Sequence, residues 1–249
     1  MSGHERAPHA TDLTILAVLA DGELEVLGAL PDSSNAALLV RCRVDDETDG
    51  RIAVYKPMRG EAPLWDFPDG TLHRREVAAF ALARALGWPK IPSTVLREGP
   101  YGPGSLQLFV PFDPEHHFFT LEMEHADVFR RVALFDIAAN NADRKGGHCL
   151  LDADGEIWFI DHGVCFAVEP KLRTVIWTFV GEPLPVDATE DLERVLEELA
   201  DGAGVATTLH ELLDPAEVDA VRDRIARLLE GGRFPEPEPG VRPYPWPPI

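Results

Sequence analysis

Two short segments of the chain carry side chains at a spacing that could support phosphoryl transfer. The first reads NNADRKGGH (residues 140–148), and the second, IWFIDHG (residues 157–163), follows it after a short turn. Such chemistry needs one carboxylate to orient the attacking hydroxyl and another to bind the metal that bridges the nucleotide phosphates. Because Asp161 ends an apolar, strand-like run, rigid structure would fix its carboxylate. We therefore interpret Asp143 as the candidate catalytic carboxylate and Asp161 as a candidate metal ligand.

The same residues also have a purely structural interpretation. Asp-Arg-Lys-Gly-Gly after Ala142 is good turn chemistry, and Asp-Ala-Asp-Gly at residues 152–155 is typical of a hairpin turn. Features elsewhere in the chain must therefore agree before the two carboxylates are assigned a chemical role.

Composition limits the class of protein. A chain of 249 residues that is 45% hydrophobic can form one large domain or two lobes. No run is long and apolar enough for a membrane span, and no signal peptide is visible, so we expect a cytoplasmic protein. The three cysteines lack metal-ligand spacing, which suits a reducing compartment and favours a role as small buried residues.

The charge of the chain narrows its partners. A formal net charge of -20 disfavours nucleic-acid polymers and anionic membrane surfaces, whereas a local cationic cluster could still bind a nucleotide. Only four of the 23 basic residues are lysines, so a lysine here suggests a need for its compact ammonium group. Lys56 and Lys145 fall in the segments that other features mark as functional.

The pattern of apolar residues predicts a β-rich first part, a mostly helical second part and a proline-rich tail. The first part, residues 1–111, is β-rich from about residue 13 and contains a helix that begins after Thr71 and ends at Gly87. The second part, residues 112–232, includes the helix that leads into Asp143. The tail, residues 233–249, should be extended. Strands are predicted at 24–30, 36–44, 51–56, 93–96 and 105–111, and helices at 72–86, 126–140, 191–199, 209–213 and 215–230.

Residues of the first part could bind a nucleotide. Lys56 ends a strand and could reach phosphates as a point charge, although a solvated lysine at a sheet edge is equally compatible with the pattern. Glu76, on the following helix, could hold Lys56 by an ion pair or simply favour the helix N-terminus. No Gly-x-Gly-x-x-Gly is present, and in its place stands a polar turn that could cradle a phosphate or serve only as a turn. The candidate nucleotide-binding residues are Ser33, Ser34, Asn35, Lys56, Gln107 and Lys145.

These features, in this order, resemble the atypical kinases of the phosphatidylinositol 3-/4-kinase-like and HipA-like group. The resemblance rests on VYKP (54–57), Glu76, FDI (135–137), NADR (141–144) and IDHG (160–163). More narrowly, the whole chain looks like an uncharacterised bacterial kinase-like family, through WDFP (65–68), residues 140–148 and KLRTV (171–175). The resemblance implies an α+β, two-lobed protein-kinase-like fold, with a small β-rich N-lobe, a reduced, mostly helical C-lobe, and ATP in the cleft.

The resemblance also implies roles for single residues. Lys56 would bind the α- and β-phosphates, Glu76 would anchor it, Asp143 would orient an acceptor hydroxyl, and Asp161 would bind Mg²⁺ or Mn²⁺. The family places a metal-binding Asn five residues after the catalytic Asp, where this chain has His148, a better ligand for Mn²⁺ than for Mg²⁺. The implied activity is transfer of the γ-phosphoryl group of ATP to a hydroxyl of a protein or a small polar metabolite.

Three other functions stay open at the level of sequence. The chain could be a nucleotide-binding pseudokinase that regulates a partner through its tail, or it could transfer AMP on the same fold. His148, Asp161 and His162 could instead hold a hydrolytic metal, although adjacent strand residues such as Asp161 and His162 should face opposite ways. Lys171 and Arg173 would attract an anionic acceptor, or could form ordinary salt bridges in an acidic protein.

Overall fold

The computed structural model describes residues 10–30, 36–44 and 50–249, which divide into two compact units. The first unit holds the described residues up to Val77 together with Pro92–Phe109. The second unit holds Ala78–Ile91 and Val110–Ile249. Among the described residues, no helix combines the length and apolar composition needed to cross a membrane.

The first unit is built on an antiparallel sheet whose predicted strands are confirmed. Within the described residues, five strands lie in the order β1-β2-β3-β5-β4. Side chains that alternate along these strands are completely buried on one face, including Val40, Cys42, Ala53, Tyr55 and Leu106, as a period of two requires. The strands are β1 (Glu23–Ala29), β2 (Leu38–Arg43), β3 (Arg51–Pro57), β4 (Thr94–Gly99) and β5 (Gly102–Leu108).

Helix α1, Ala10–Asp21, precedes the sheet and corrects the prediction that the β-rich part begins near residue 13. Its sequence is rich in Ala and Leu, which favour helices. Leu19 is completely buried in the core of the sheet, and Ile15 and Val18 pack beside it, so the helix contributes one face at a spacing of three to four residues. The N-terminal part therefore has a helix in addition to the predicted one.

Helix α2, Leu72–Leu86, has the predicted bounds and follows Thr71 as predicted, but the side chain of Glu61 supplies the capping hydrogen bond. Glu61 Oε1 accepts hydrogen bonds from the backbone N–H of His73 at 2.8 Å and from its Nδ1 at 2.6 Å. The hydroxyl of Thr71 instead donates to the carbonyl of Pro68, although the Thr71 carbonyl accepts the first helical hydrogen bonds. Gly87, with φ of +84°, ends the helix as predicted.

The second unit is mostly helical, and one hairpin interrupts its helices. Helix α4, which was predicted at residues 126–140, spans Ala126–Ala139, and strands β6 (Cys149–Leu151) and β7 (Ile157–Phe159) form the hairpin. The short helix α3, Phe118–Leu121, was not predicted. The helix predicted at 191–199 begins earlier, directly after Pro185. The C-terminal helices are α5 (Val186–Asp201), α6 (Val205–Leu212) and α7 (Pro215–Gly231).

The cysteines have the structural character that their spacing indicated. Cys42, Cys149 and Cys165 are buried and are not joined in disulfides. Burial raises the pKa of Cys149 to about 12, so this thiol stays protonated and unreactive at neutral pH.

Candidate active site

In the first unit, Lys56 and Glu76 form an ion pair. Lys56 lies on β3, which is flanked by β2 and β5, so it does not belong to an edge strand. The Glu76 side chain is only 3% exposed, whereas the Lys56 side chain keeps 21% of its surface in solvent. The buried carboxylate can therefore hold an ammonium group that remains accessible to an anion.

In the second unit, Asn140 turns the chain from helix α4 into the loop that carries Asp143. Its φ and ψ are 50° and 52°, a left-handed conformation that Asn adopts more readily than most residues. Its side-chain amide donates to the carbonyls of Ala167 at 2.8 Å and Glu169 at 2.7 Å, and its Oδ1 accepts from the N–H of Lys171 at 2.9 Å. One side chain thus joins the end of the helix to residues 167–171.

A buried ion pair between Asp136 and Arg144 underlies the loop. Both side chains are 0% exposed, with a distance of 3.0 Å between Arg144 Nη2 and Asp136 Oδ1. The same carboxylate accepts from Asn141 Nδ2 at 2.9 Å and from Thr174 Oγ1 at 3.2 Å. Burial alone would lower the pKa of Arg144, but the Asp136 carboxylate more than offsets this and raises it. The loop is therefore held by a charged pair with its hydrogen bonds satisfied.

Arg144 also reaches the segment that carries Asp161. Its Nη1 donates to the carbonyl of Ile160 at 3.2 Å, and its Nη2 lies 2.7 Å from His162 Nε2. Since a guanidinium only donates, His162 accepts through Nε2. His162 is 0% exposed. Arg144 thus joins the two candidate motifs beneath the surface. The sequence did not predict this role. Its one signal was Asp136, a charged residue within the apolar helix α4.

Asp143 projects from this supported loop. Its backbone N–H donates to Asn141 Oδ1 at 3.0 Å, and Oδ2 lies 3.2 Å from Lys145 Nζ. Burial raises the pKa of the Asp143 carboxyl, and the nearby ammonium of Lys145 opposes this shift without cancelling it. A carboxylate with a raised pKa is a better proton acceptor than an ordinary one, which suits a residue that orients a hydroxyl.

Asp143, His148 and Asp161 form a cluster that could hold a metal ion. One ligand atom from each of these residues lies within 4.8 Å of the others, and His148 Nε2 is 3.4 Å from Asp161 Oδ2. Asp161 has φ of +62°, an uncommon conformation for a residue other than Gly. Residues held in this way often lie at functional sites. Two carboxylates and one imidazole form a donor set that suits Mn²⁺ better than Mg²⁺.

The structure separates the other candidates. His162 is turned toward Arg144 and does not belong to the cluster. Asp161 and His162 were expected to face opposite ways as adjacent strand residues, but β7 ends at Phe159, so both lie beyond the strand. Gln107 is buried on β5, where its amide donates to Thr94 Oγ1 at 2.9 Å, and Lys145 is engaged by Asp143. The predicted phosphate-binding turn lies outside the described residues; it contains Ser33, Ser34 and Asn35.

No protein-family model matches the chain. It is 40% identical over 268 aligned positions to Protein Rv2133c of Mycobacterium tuberculosis (strain ATCC 25618 / H37Rv), and the alignment covers 93% of this chain and 94% of the relative. The chain belongs to the same family as Rv2133c. Because the alignment covers 93% of this chain, it includes residues of both units of the structure.

Solved structures of kinases share the fold of this chain. Golgi casein kinase with Mn/ADP bound matches with a TM-score of 0.57 at 15% identity, covering 98% of this chain and 81% of that one. A second structure of the Golgi casein kinase gives 0.50 at 14% identity, with coverages of 90% and 74%. The Helicobacter pylori proinflammatory kinase CtkA gives 0.53 at 11% identity, with coverages of 87% and 94%. The predicted α+β, two-lobed kinase-like fold is confirmed.

Proposed function

We propose that this protein is an ATP-dependent phosphotransferase that moves the γ-phosphoryl group to a hydroxyl. The observation that carries the proposal is the cluster of Asp143, His148 and Asp161 on a kinase-like fold. The order of the motifs supports a place near the phosphatidylinositol 3-/4-kinase-like and HipA-like group. In this proposal residues 1–111 form the lobe that contributes Lys56, and residues 112–232 form the lobe of the catalytic loop.

Each of the chain's residues has a distinct task in the proposed reaction. Lys56, oriented by Glu76, contacts the phosphates as a point charge. Asp143 orients the acceptor hydroxyl and accepts its proton, which its raised pKa favours. Asp161 and His148 hold the divalent metal, which supplies neutralisation of the phosphate charge when bound. Phosphoryl transfer in this class depends mainly on such positioning and electrostatics.

His148 gives a specific reason to weigh a second function. Its imidazole, 3.4 Å from Asp161, stands where the related kinases have a metal-binding Asn. If the imidazole serves as a hydrogen-bond partner of Asp161 rather than as a metal ligand, the protein is a nucleotide-binding pseudokinase. Transfer of AMP on the same fold is a further candidate, and it differs in releasing pyrophosphate instead of ADP.

The first experiment is calorimetric titration of the full chain with ATP in the absence of metal, with Mg²⁺ and with Mn²⁺. We expect binding that requires metal and is tighter with Mn²⁺. Asp161→Ala should abolish the metal-dependent part, because it removes a carboxylate from the cluster. Asp154→Ala is the matched control, since this carboxylate lies exposed in the turn of the same hairpin.

Two results would contradict the proposal. If ATP does not bind under any of the three conditions, the nucleotide role is wrong. If Asp161→Ala binds ATP and metal as the parent does, its assignment as a ligand is wrong. Release of ADP, of pyrophosphate or of neither then separates phosphoryl transfer, AMP transfer and a pseudokinase.

A further inference from the structure

The proline-rich tail returns to the catalytic loop and helps to form a pocket beside Asp143. The pocket has a volume of about 320 Å³, near the lower end of the range of roughly 300–1,000 Å³ for small-molecule sites. It contains a carboxylate, two guanidinium groups, two aromatic rings and a proline. These residues are Asp143, Arg173, Arg242, Tyr244, Pro245 and Trp246.

Hydrogen bonds hold the tail in this position. The carbonyl of Pro243 accepts from the N–H of Thr174 and from Trp177 Nε1, both at 3.0 Å. The carbonyl of Pro248 accepts from the N–H of Gly146 at 2.8 Å, next to the candidate metal cluster. Prolines lack an N–H, and at these three contacts the tail acts only as a hydrogen-bond acceptor. It is therefore attached on both sides of the pocket.

The two arginines give the pocket a local positive charge in a strongly acidic protein. The two guanidinium groups outnumber the single carboxylate of the pocket, that of Asp143, on which the charge of Arg173 acts, although the chain as a whole has a formal net charge of -20. Arg242 lies over the ring of Trp246, with its guanidinium carbon 6.0 Å from the ring centroid. Tyr244 and Trp246 are 51% and 75% exposed. Both guanidinium groups line the pocket, where a ligand could contact them, and the rings offer that ligand flat apolar surface.

We infer that this pocket is the acceptor site of the proposed phosphotransferase and that it takes a small hydroxylated anion of the sugar-phosphate or sugar-acid type. The inference rests on the proposed function and adds the class of acceptor. Guanidinium groups bind phosphate and carboxylate oxygens in a bidentate manner, and the aromatic rings suit the apolar face of a sugar ring. The volume fits one small molecule better than an extended peptide.

Asp143 lines the pocket, so its carboxylate lies beside a bound acceptor in the proposed reaction. The oxygen of the acceptor hydroxyl forms a bond to the γ-phosphorus of ATP, and Asp143 takes the proton of that hydroxyl. The bond from that phosphorus to the β–γ bridging oxygen breaks, and ADP leaves. The products are a phosphate ester of the acceptor, ADP and the proton held by Asp143.

The test begins with binding in the absence of ATP. Glucose 6-phosphate, glucuronate, inorganic phosphate and neutral glucose are titrated calorimetrically into the full-length protein. We expect saturable binding of glucose 6-phosphate or glucuronate, and much weaker binding of glucose. Inorganic phosphate separates recognition of the anion alone from recognition of the sugar. Tryptophan fluorescence should change on binding, and Trp246→Phe should remove most of that change.

Variants of the two arginines test the contacts. Arg173→Ala and Arg242→Ala should each weaken binding of the anionic probe about tenfold or more, as expected for the loss of a charge-assisted hydrogen bond. Arg173→Lys and Arg242→Lys should recover part of the affinity because they keep the charge. Arg227→Ala, an exposed arginine on α7, is the matched control and should bind as the parent does.

The outcomes separate this inference from the proposed function. Equal binding of glucose and glucose 6-phosphate, or unchanged binding in both alanine variants, would overturn the inference. Binding of an acidic phosphopeptide but of none of the sugar probes would also overturn it. Metal-dependent ATP binding without binding of any probe overturns the inference and leaves the proposed function standing. Arginine-dependent probe binding in a protein that does not bind ATP supports the anion pocket and contradicts the phosphotransferase.

Discussion

Asp136→Asn is the most direct test of how the catalytic loop is supported. The substitution keeps the size of the side chain but removes the charge that Arg144 faces where both groups are 0% exposed. It also places an amide N–H₂ among the donors of Arg144, Asn141 and Thr174, which now share the carboxylate oxygens. An unpaired cation and unsatisfied donors would remain in the interior.

The size of the effect follows from burial. Removing one partner of a buried ion pair costs about 3–5 kcal/mol, because the remaining charge keeps its desolvation penalty without compensation. In a chain of this size each kcal/mol lowers the melting temperature by roughly 2–4 °C, so the expected decrease is roughly 6–20 °C. The matched control is Asp127→Asn on the same helix, where the side chain is 89% exposed and pairs with Arg130 at 3.0 Å. It should cost under about 1 kcal/mol.

Chemical denaturation followed by tryptophan fluorescence provides the assay. Most tryptophans of the chain lie in the second unit and report on the region that contains the ion pair; they are Trp88, Trp158, Trp177 and Trp246. A double variant, Asp136→Leu with Arg144→Met, removes both charges. Its loss of stability should be smaller than the sum of the losses in Asp136→Leu alone and Arg144→Met alone.

Two results would refute this reasoning. The first is a cost for Asp136→Asn no larger than that for Asp127→Asn. The second is strict additivity in the double variant, since it would show that the two side chains do not interact in the folded protein.

The remaining predictions concern nucleotide binding, metal preference and pH. Lys56→Met should weaken ATP binding at least about tenfold and destabilise the protein, because the buried carboxylate of Glu76 loses the ammonium group that it faces. Adding Glu76→Gln should recover part of the stability but not the ATP affinity. Lys90→Met, at an exposed lysine, should change neither. His148→Asn should shift the metal preference of ATP binding from Mn²⁺ toward Mg²⁺, and an unchanged ratio of the two dissociation constants would remove His148 from the metal site. Burial would raise the pKa of Glu61, but the hydrogen bonds that it accepts at the start of α2 outweigh this and hold its pKa below the usual 4.5. The stabilisation by the Glu61 carboxylate is therefore complete above that value and is lost as the pH falls through the lower folded-state pKa. Glu61→Gln should be less stable than the parent at pH 7 and differ little from it in acid. Urea titrations at several pH values test this.

Features governed by local pattern were predicted well from the sequence. The strands of the sheet were placed by runs of apolar residues, and the bounds of α2 followed from its periodicity and from Gly87, because backbone preference and one-sided burial act over a few neighbouring residues. Helix α1 was missed because nearly every residue from 13 to 19 is apolar, so the sequence did not show which of them, Ile15, Val18 and Leu19, would form the buried face. The motifs around Asp143 and Asp161 were also recognisable, since their residues lie close together in the chain.

What the sequence did not show depends on contacts between distant segments. The pairing of Asp136 with Arg144, and the further reach of Arg144 to His162, requires the helix, the loop and the hairpin to be folded together. The capping of α2 by Glu61 likewise joins residues separated by a loop. Above all, composition indicated that the tail would be extended, but not where it would lie. Near the catalytic loop its prolines act only as acceptors, so its position there depends on donors from separate segments, the N–H group of Gly146 in the loop and that of Thr174 beyond it.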